Sequence, residues 1–223
     1  MHKKMIAPLV FGVLGVAILL SLGVWQLRRL AWKEALLAQI EARIHAPAVA
    51  LPARPDAARD KYLAVSVSGR IEKPEIDVLT SRESFGPGYR VINALVTDGG
   101  RRILLDRGFI PLSQKDSVRA PRHLQVTGNL HWPDETDSFT PPPDLKAGIW
   151  FARDVSAMAQ ALGTEPVLIV AASQTGDGVV PAPVGTEGIP NDHLQYAITW
   201  FLLAAVWLGM TAYLLWRIKR RAD

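Results

Sequence analysis

Two runs of 23 residues without a charged side chain, 5–27 and 194–216, constrain this chain more than any other feature in it. Each is about 34 Å long as a helix, enough to cross a hydrocarbon core of roughly 30 Å. A core helix of a soluble protein seldom stays free of charge for so long. The chain therefore reads as an integral membrane protein with one span at each end and a globular domain between them. Hydrophobic residues make up 49% of the 223 positions, and these two segments account for the excess over a soluble domain.

The first run fits two descriptions. Met1-His2-Lys3-Lys4 before an apolar stretch, with Ser21-Leu22-Gly23 offering a small-x-small pattern, describes a cleavable signal peptide. The length of the run and its unbroken continuation through Trp25-Gln26-Leu27-Arg28-Arg29 toward Trp32 and Lys33 favour an uncleaved signal anchor, fixed by interfacial Trp and snorkelling Arg. Orientation comes from the second run. Arg217, Lys219, Arg220 and Arg221 follow it, whereas no Lys or Arg occurs over 154–216. The positive-inside rule then predicts a cytoplasmic or matrix-side C-terminus, and two spans put both termini there and the central domain outside. The short basic N-terminus favours a bacterial inner membrane, and hence a periplasmic domain, over an organelle. The absence of Cys suits a periplasm where no disulfide is wanted. A net charge of +4 does not call for nucleic acid, because the cations flank the spans or are scattered among acids; the lipid bilayer is the simpler partner.

Between the spans the periodicity changes. Leu30, Leu36, Leu37, Ile40 and Ile44 keep helical spacing with Lys33, Glu34, Glu41 and Arg43 off the stripe, so an amphipathic helical stalk is expected over 28–46, stopped by Pro47. The β-rich domain then occupies 47–190, with the second span at 191–216 and a basic tail at 217–223. Strands are expected at 62–69, 76–80, 89–96, 102–110, 124–132 and 167–172. Asp98-Gly99-Gly100 makes a hairpin of the middle pair. Asp154 and Gly163 bracket one helix. The predicted fold class is a membrane protein whose two terminal transmembrane helices flank a mostly antiparallel β (α+β) domain of about six strands and one helix, closed or nearly closed as a small barrel.

Catalytic signatures are missing: there is no Gly-rich phosphate loop, no Gly-x-Ser-x-Gly, no His-Glu-x-x-His and no Cys. An enzyme is the class these residues support least. The histidines are His2, His45, His123, His131 and His193, with no two at metal-ligand spacing. His123 and His131 read as surface residues. Arg107, in what reads as a tight Asp-Arg-Gly turn, is expected in a strand-edge ion pair with Asp106 or another acid. Gly15, Leu19 and Gly23 form a small-residue groove suited to packing on the second span.

The informative segment is 191–201, at the outer entry of the second span. With Asn191 as expected N-cap, His193, Tyr196, Ala197 and Trp200 follow i, i+3, i+4, i+7 and share one helix face. The positive end of a helix disfavours a cationic imidazole, and a neutral ring offers a lone pair to a metal or a donor. Spacing alone leaves two readings open: an interfacial aromatic belt with a merely polar His193, or ligation of a haem, whose flat apolar ring needs an axial nitrogen.

These residues resemble the surfeit locus protein 1 family of cytochrome oxidase assembly factors. The resemblance runs along nearly the whole chain: Leu22-Gly23-Val24-Trp25-Gln26 with Arg29, Trp32 and Lys33; Gly69; Arg82 with Gly88-Tyr89; Leu104-Leu105-Asp106-Arg107-Gly108-Phe109-Ile110-Pro111; Trp150; and 191–201. Asp106 and Phe109 depart from the family pattern, where Asn and Trp are expected. The resemblance implies a role in maturing a haem-copper oxidase, carrying haem a to its catalytic subunit, with haem a synthase as a further partner and His193 as iron ligand. On that reading Trp25, Trp32, Tyr196 and Trp200 wall the ring, and Arg28, Arg29 or Lys33 pairs with its propionates. A haem-independent scaffold that stabilises an oxidase subunit is the alternative.

Overall fold

The computed structural model describes residues 3–82, 85–187 and 189–221. Met1, His2, Glu83, Ser84 and Gly188, and Ala222 and Asp223 of the expected tail, lie outside the described residues. In chain order the elements are α1 (Lys3–Ile44), β1 (Val49–Ala50), α2 (Ala57–Asp60), β2 (Ala64–Arg82), β3 (Gly86–Thr97), β4 (Arg102–Pro111), β5 (Arg122–Leu130), β6 (Ile149–Trp150), α3 (Val155–Leu162), β7 (Leu168–Ala171) and α4 (His193–Arg220). They divide into two compact units, Met1–Gln39 with Thr186–Asp223, and Ile40–Gly185.

The first unit is a pair of helices. α1 and α4 are both long and apolar enough to cross a membrane, and only 6% of the most apolar stretch of each is buried by protein. Apolar surface left bare on that scale is a surface for lipid. Without a hydrophobic force between helices in lipid, close approach comes from small residues. Gly12 lies under Thr211, Gly15 under the Trp207 indole and Gly23 under the Phe201 ring; a Cβ on Gly23 would fall 2.5 Å from that ring. Gly15 and Gly23 thus pack against the second span as their spacing suggests, and Gly12 extends the seam.

In the second unit, β2 is antiparallel to both β3 and β5, β3 to β4, and β5 to β7, while β4 and β7 run parallel. The order β2-β3-β4-β7-β5 returns to β2 and closes a five-stranded barrel, with β1 and β6 as short parallel additions to β2. Closure works because β2 is long: its first half holds β5 and its second half β3. The segments 62–69 and 76–80, expected as separate strands, are one bent strand. Pro74 cannot donate to the ladder, so Lys73 and Pro74 are skipped in the register, and Asn93 Nδ2 donates to Glu72 O at 3.1 Å across the bulge.

Alternation decides which residues fill the lumen. Val65, Val67, Ile71, Leu95, Ile103, Leu105, Val126, Leu130, Ile169 and Ala171, drawn from all five strands, form one buried cluster. Their neighbours Ala94, Leu104, Leu168 and Val170 face outward under α3, where Met158, Ala159 and Leu162 cover them. Both faces of β4 and β7 are therefore buried, which explains their continuous apolar runs. The expected ends of α3 hold: the Asp154 carboxylate accepts from Ala157 N at 2.9 Å, and Gly163 is left-handed at φ 63°.

Candidate functional site

α4 begins at His193, after Asp192, whose side chain makes no capping bond. Among the described residues Asn191, the expected cap, makes no capping bond, and its Oδ1 is instead buried without a hydrogen-bond partner. The half-buried His193 directs Nδ1 to Gln26 Oε1 of α1 at 2.9 Å. Gln26 is itself only 9% exposed, a polar side chain in the last turn of the charge-free run. Among the described residues His193 Nε2 has no hydrogen-bond partner. Sequence reasoning missed Gln26 as part of the site; the signal available was a single amide near the end of an apolar span.

The other expected site residues fall into two groups. Trp200, seven residues after His193, is half-buried on the same face, and Tyr196 is 56% exposed beside it. Lys33, seven residues after Gln26 and about 10.5 Å further along α1, keeps that face and is half-buried. Trp25, Arg28, Arg29 and Trp32 are exposed and share a second face of α1 by their i, i+3, i+4, i+7 spacing. On that face the Arg29 guanidinium stacks 4.1 Å over the Trp32 ring. Arg28 is two residues from Gln26 and hence about 200° round the helix, away from α4. His193 is thus brought to Gln26, whereas Trp25, Arg28 and Trp32 are turned aside and Arg29 lies between the two faces.

The donor chemistry here fits a porphyrin better than a bare metal ion. Among the described residues no three His, Cys, Asp or Glu groups come together to hold a metal. A haem brings four equatorial nitrogens of its own and asks the protein for an axial one, which a single imidazole with an unengaged Nε2 can provide.

Several polar residues of the second unit are held in ion pairs and hydrogen bonds. Arg107 is not in a turn: it is the extra residue of a β-bulge in β4, opposite Val91 and Ile92, with Gly108 at φ 123°. Nor is it at a strand edge. It is 1% exposed, pairs with Asp177 at 2.8 Å rather than with Asp106, and also donates to Thr175 and Gly176. Asp106, fully buried, accepts from Arg90 at 2.6 Å and Arg153 at 3.2 Å. Tyr89 is core, and Arg82 lies over Phe85 and Phe109.

His123 is exposed and pairs with Asp98 at 2.8 Å. His131, expected at the surface, is half-buried with Nδ1 unpartnered; burial, aided by Arg153, pushes its pKa down to about 4. Eight residues of extended chain put the two imidazoles about 26 Å apart, too far to share an ion. Burial, aided by Glu75, raises the Asp77 carboxyl to about 6.

Residues 13–205 match the SURF1 family. The chain is 30% identical to Surfeit locus protein 1 of Homo sapiens over 223 residues, covering 87% of this chain and 71% of that one. Identity to Surfeit locus protein 1 of Xenopus tropicalis is 30% over 211 residues, 83% of this chain and 68% of the other. A SURF1-like protein of Monosiga brevicollis is 32% identical over 220 residues, 87% and 82% of the two chains. With most of its length matched, this chain belongs to the SURF1 family.

Proposed function

We propose that this chain assists the maturation of a haem-copper oxidase by holding haem a on His193 and passing it to the catalytic subunit. Family membership supports the first half, since SURF1 proteins are cytochrome oxidase assembly factors. The observation that carries the second half is the imidazole whose Nε2 is unengaged while its Nδ1 is tied to a buried amide.

Haem supplies a Lewis-acidic iron and two propionates. His193 Nε2 would hold the iron, Trp200 and Tyr196 would cover the ring, and Lys33 or Arg29 would pair with the propionates. Trp25, Trp32 and Arg28, on the other face of α1, anchor that helix at the interface. One protein ligand holds more weakly than two, which suits a carrier that must let go. In this account both termini are cytoplasmic in a bacterial inner membrane, the barrel is periplasmic, and haem a synthase is the donor. A haem-independent scaffold is the second reading, favoured by a barrel lumen filled with side chains, which leaves the domain its outer surface alone to offer. Haem content separates them: His193→Ala, purified from cells that make haem a, loses pigment if His193 is the ligand and matches the native protein if it is not.

A further inference from the structure

We infer that Gln26 is a positioning residue that selects the ligating nitrogen of His193; this rests on the haem-binding reading above. Gln26 Oε1, which can only accept, lies 2.9 Å from His193 Nδ1, and the contact is a hydrogen bond when the proton sits on Nδ1. A neutral imidazole protonated at Nδ1 carries its lone pair on Nε2, the nitrogen that has no hydrogen-bond partner among the described residues. The two residues are 167 positions apart, and Gln26 is held between the helices at 9% exposure, so the amide is poised before any ligand arrives.

A buried amide without a partner is costly, which favours keeping the pair formed. Close packing lies one turn away along α1 and about two turns along α4, where Gly23 lets the Phe201 ring approach. The identity of the partner also sets how tightly the imidazole holds. A carboxylate at position 26 would increase ligand basicity and strengthen the hold, whereas a neutral amide orients the ring without that gain. Orientation with limited strength is what a site for transient cargo requires.

The test uses the full chain in detergent, with histidine ¹⁵N shifts read before any haem is added and the His193 signal assigned by its absence in His193→Ala. The native protein and Gln26→Glu are expected to show the Nδ1–H tautomer, and Gln26→Leu a tautomer mixture. In haemin titrations Gln26→Leu is expected to bind about 10- to 100-fold more weakly than native, and Gln26→Glu more tightly. An Nε2–H tautomer in the native protein, or a Gln26→Leu variant with unchanged tautomer and unchanged affinity, overturns the inference. If instead His193→Ala binds haemin as well as native, the ligand reading fails, and the tautomer measurement still reports on Gln26 independently.

Discussion

Replacing Asp177 by Ala removes the one charged partner that Arg107 has among the described residues. The guanidinium stays where the bulge puts it, 1% exposed, and keeps only neutral acceptors: Thr175 Oγ1 at 3.2 Å and the Thr175 and Gly176 carbonyls at 3.3 Å. Removing one member of a buried ion pair costs about 3–5 kcal/mol, because the other charge is left uncompensated. The surviving neutral acceptors place this case at the lower end, about 3 kcal/mol. For a domain of this size each kcal/mol moves Tm by roughly 2–4 °C, so the barrel should melt about 6–12 °C earlier. The reciprocal change, Arg107→Met, should cost less, since it removes the buried charge itself and leaves Asp177 with the half-exposed Arg122. Thermal unfolding of the detergent-purified chain, followed by circular dichroism in the β-sheet region, gives both values. A fall below about 2 °C for Asp177→Ala, or a larger loss for Arg107→Met, would refute the buried-charge reasoning.

His131, at about 4 in the folded state against 6.5 for an ordinary histidine, binds fewer protons folded than unfolded between those values, so it makes stability fall as pH drops from 6.5 toward 4. His131→Gln should therefore lose less stability than native on acidification, the difference growing by at most about 1.4 kcal/mol per pH unit. Asp77, raised to about 6, has the opposite sign: it stabilises below about 3.8 and that contribution is lost as pH rises to 6, so Asp77→Asn should lose less between pH 4 and 6 than native does. Denaturant titrations across that range check both slopes. Gly23→Leu, which drives a side chain into the Phe201 ring, should separate the helices. Loss of disulfide formation between Gly12→Cys and Thr211→Cys, introduced into a chain that has no other Cys, would report it. For orientation, a fluorescent protein fused to the C-terminus should light up in the cytoplasm, and alkaline phosphatase inserted after Gly148 should be active; the reverse pattern would turn the assigned topology over.

The sequence made some of this legible and hid the rest for physical reasons. Alternation at Leu63, Val65 and Val67, the Asp98-Gly99-Gly100 turn and the Asp154 and Gly163 caps are local signals, and each marks an element that is present. Glu72-Lys73-Pro74-Glu75 reads as a break because Pro ends most strands, but pairing with β3 resumes beyond it and makes one long β2. Asp106-Arg107-Gly108 reads as a turn for a similar reason: Gly108 does adopt positive φ, but it serves a bulge inside β4. The two-residue strands β1 and β6 are too short to carry a period. His131 lies against the ring of Tyr62, 69 positions earlier in the chain, which its own neighbours do not reveal. The Gln26–His193 contact joins residues 167 apart, and nothing short of the folded helix pair displays it.

The most direct test of the central claim is the absorption spectrum of the full chain purified from cells that make haem a, native beside His193→Ala. A Soret band is expected in the native protein and should be lost or strongly reduced in the variant. Equal bands in the two proteins, or none in either, would contradict that claim.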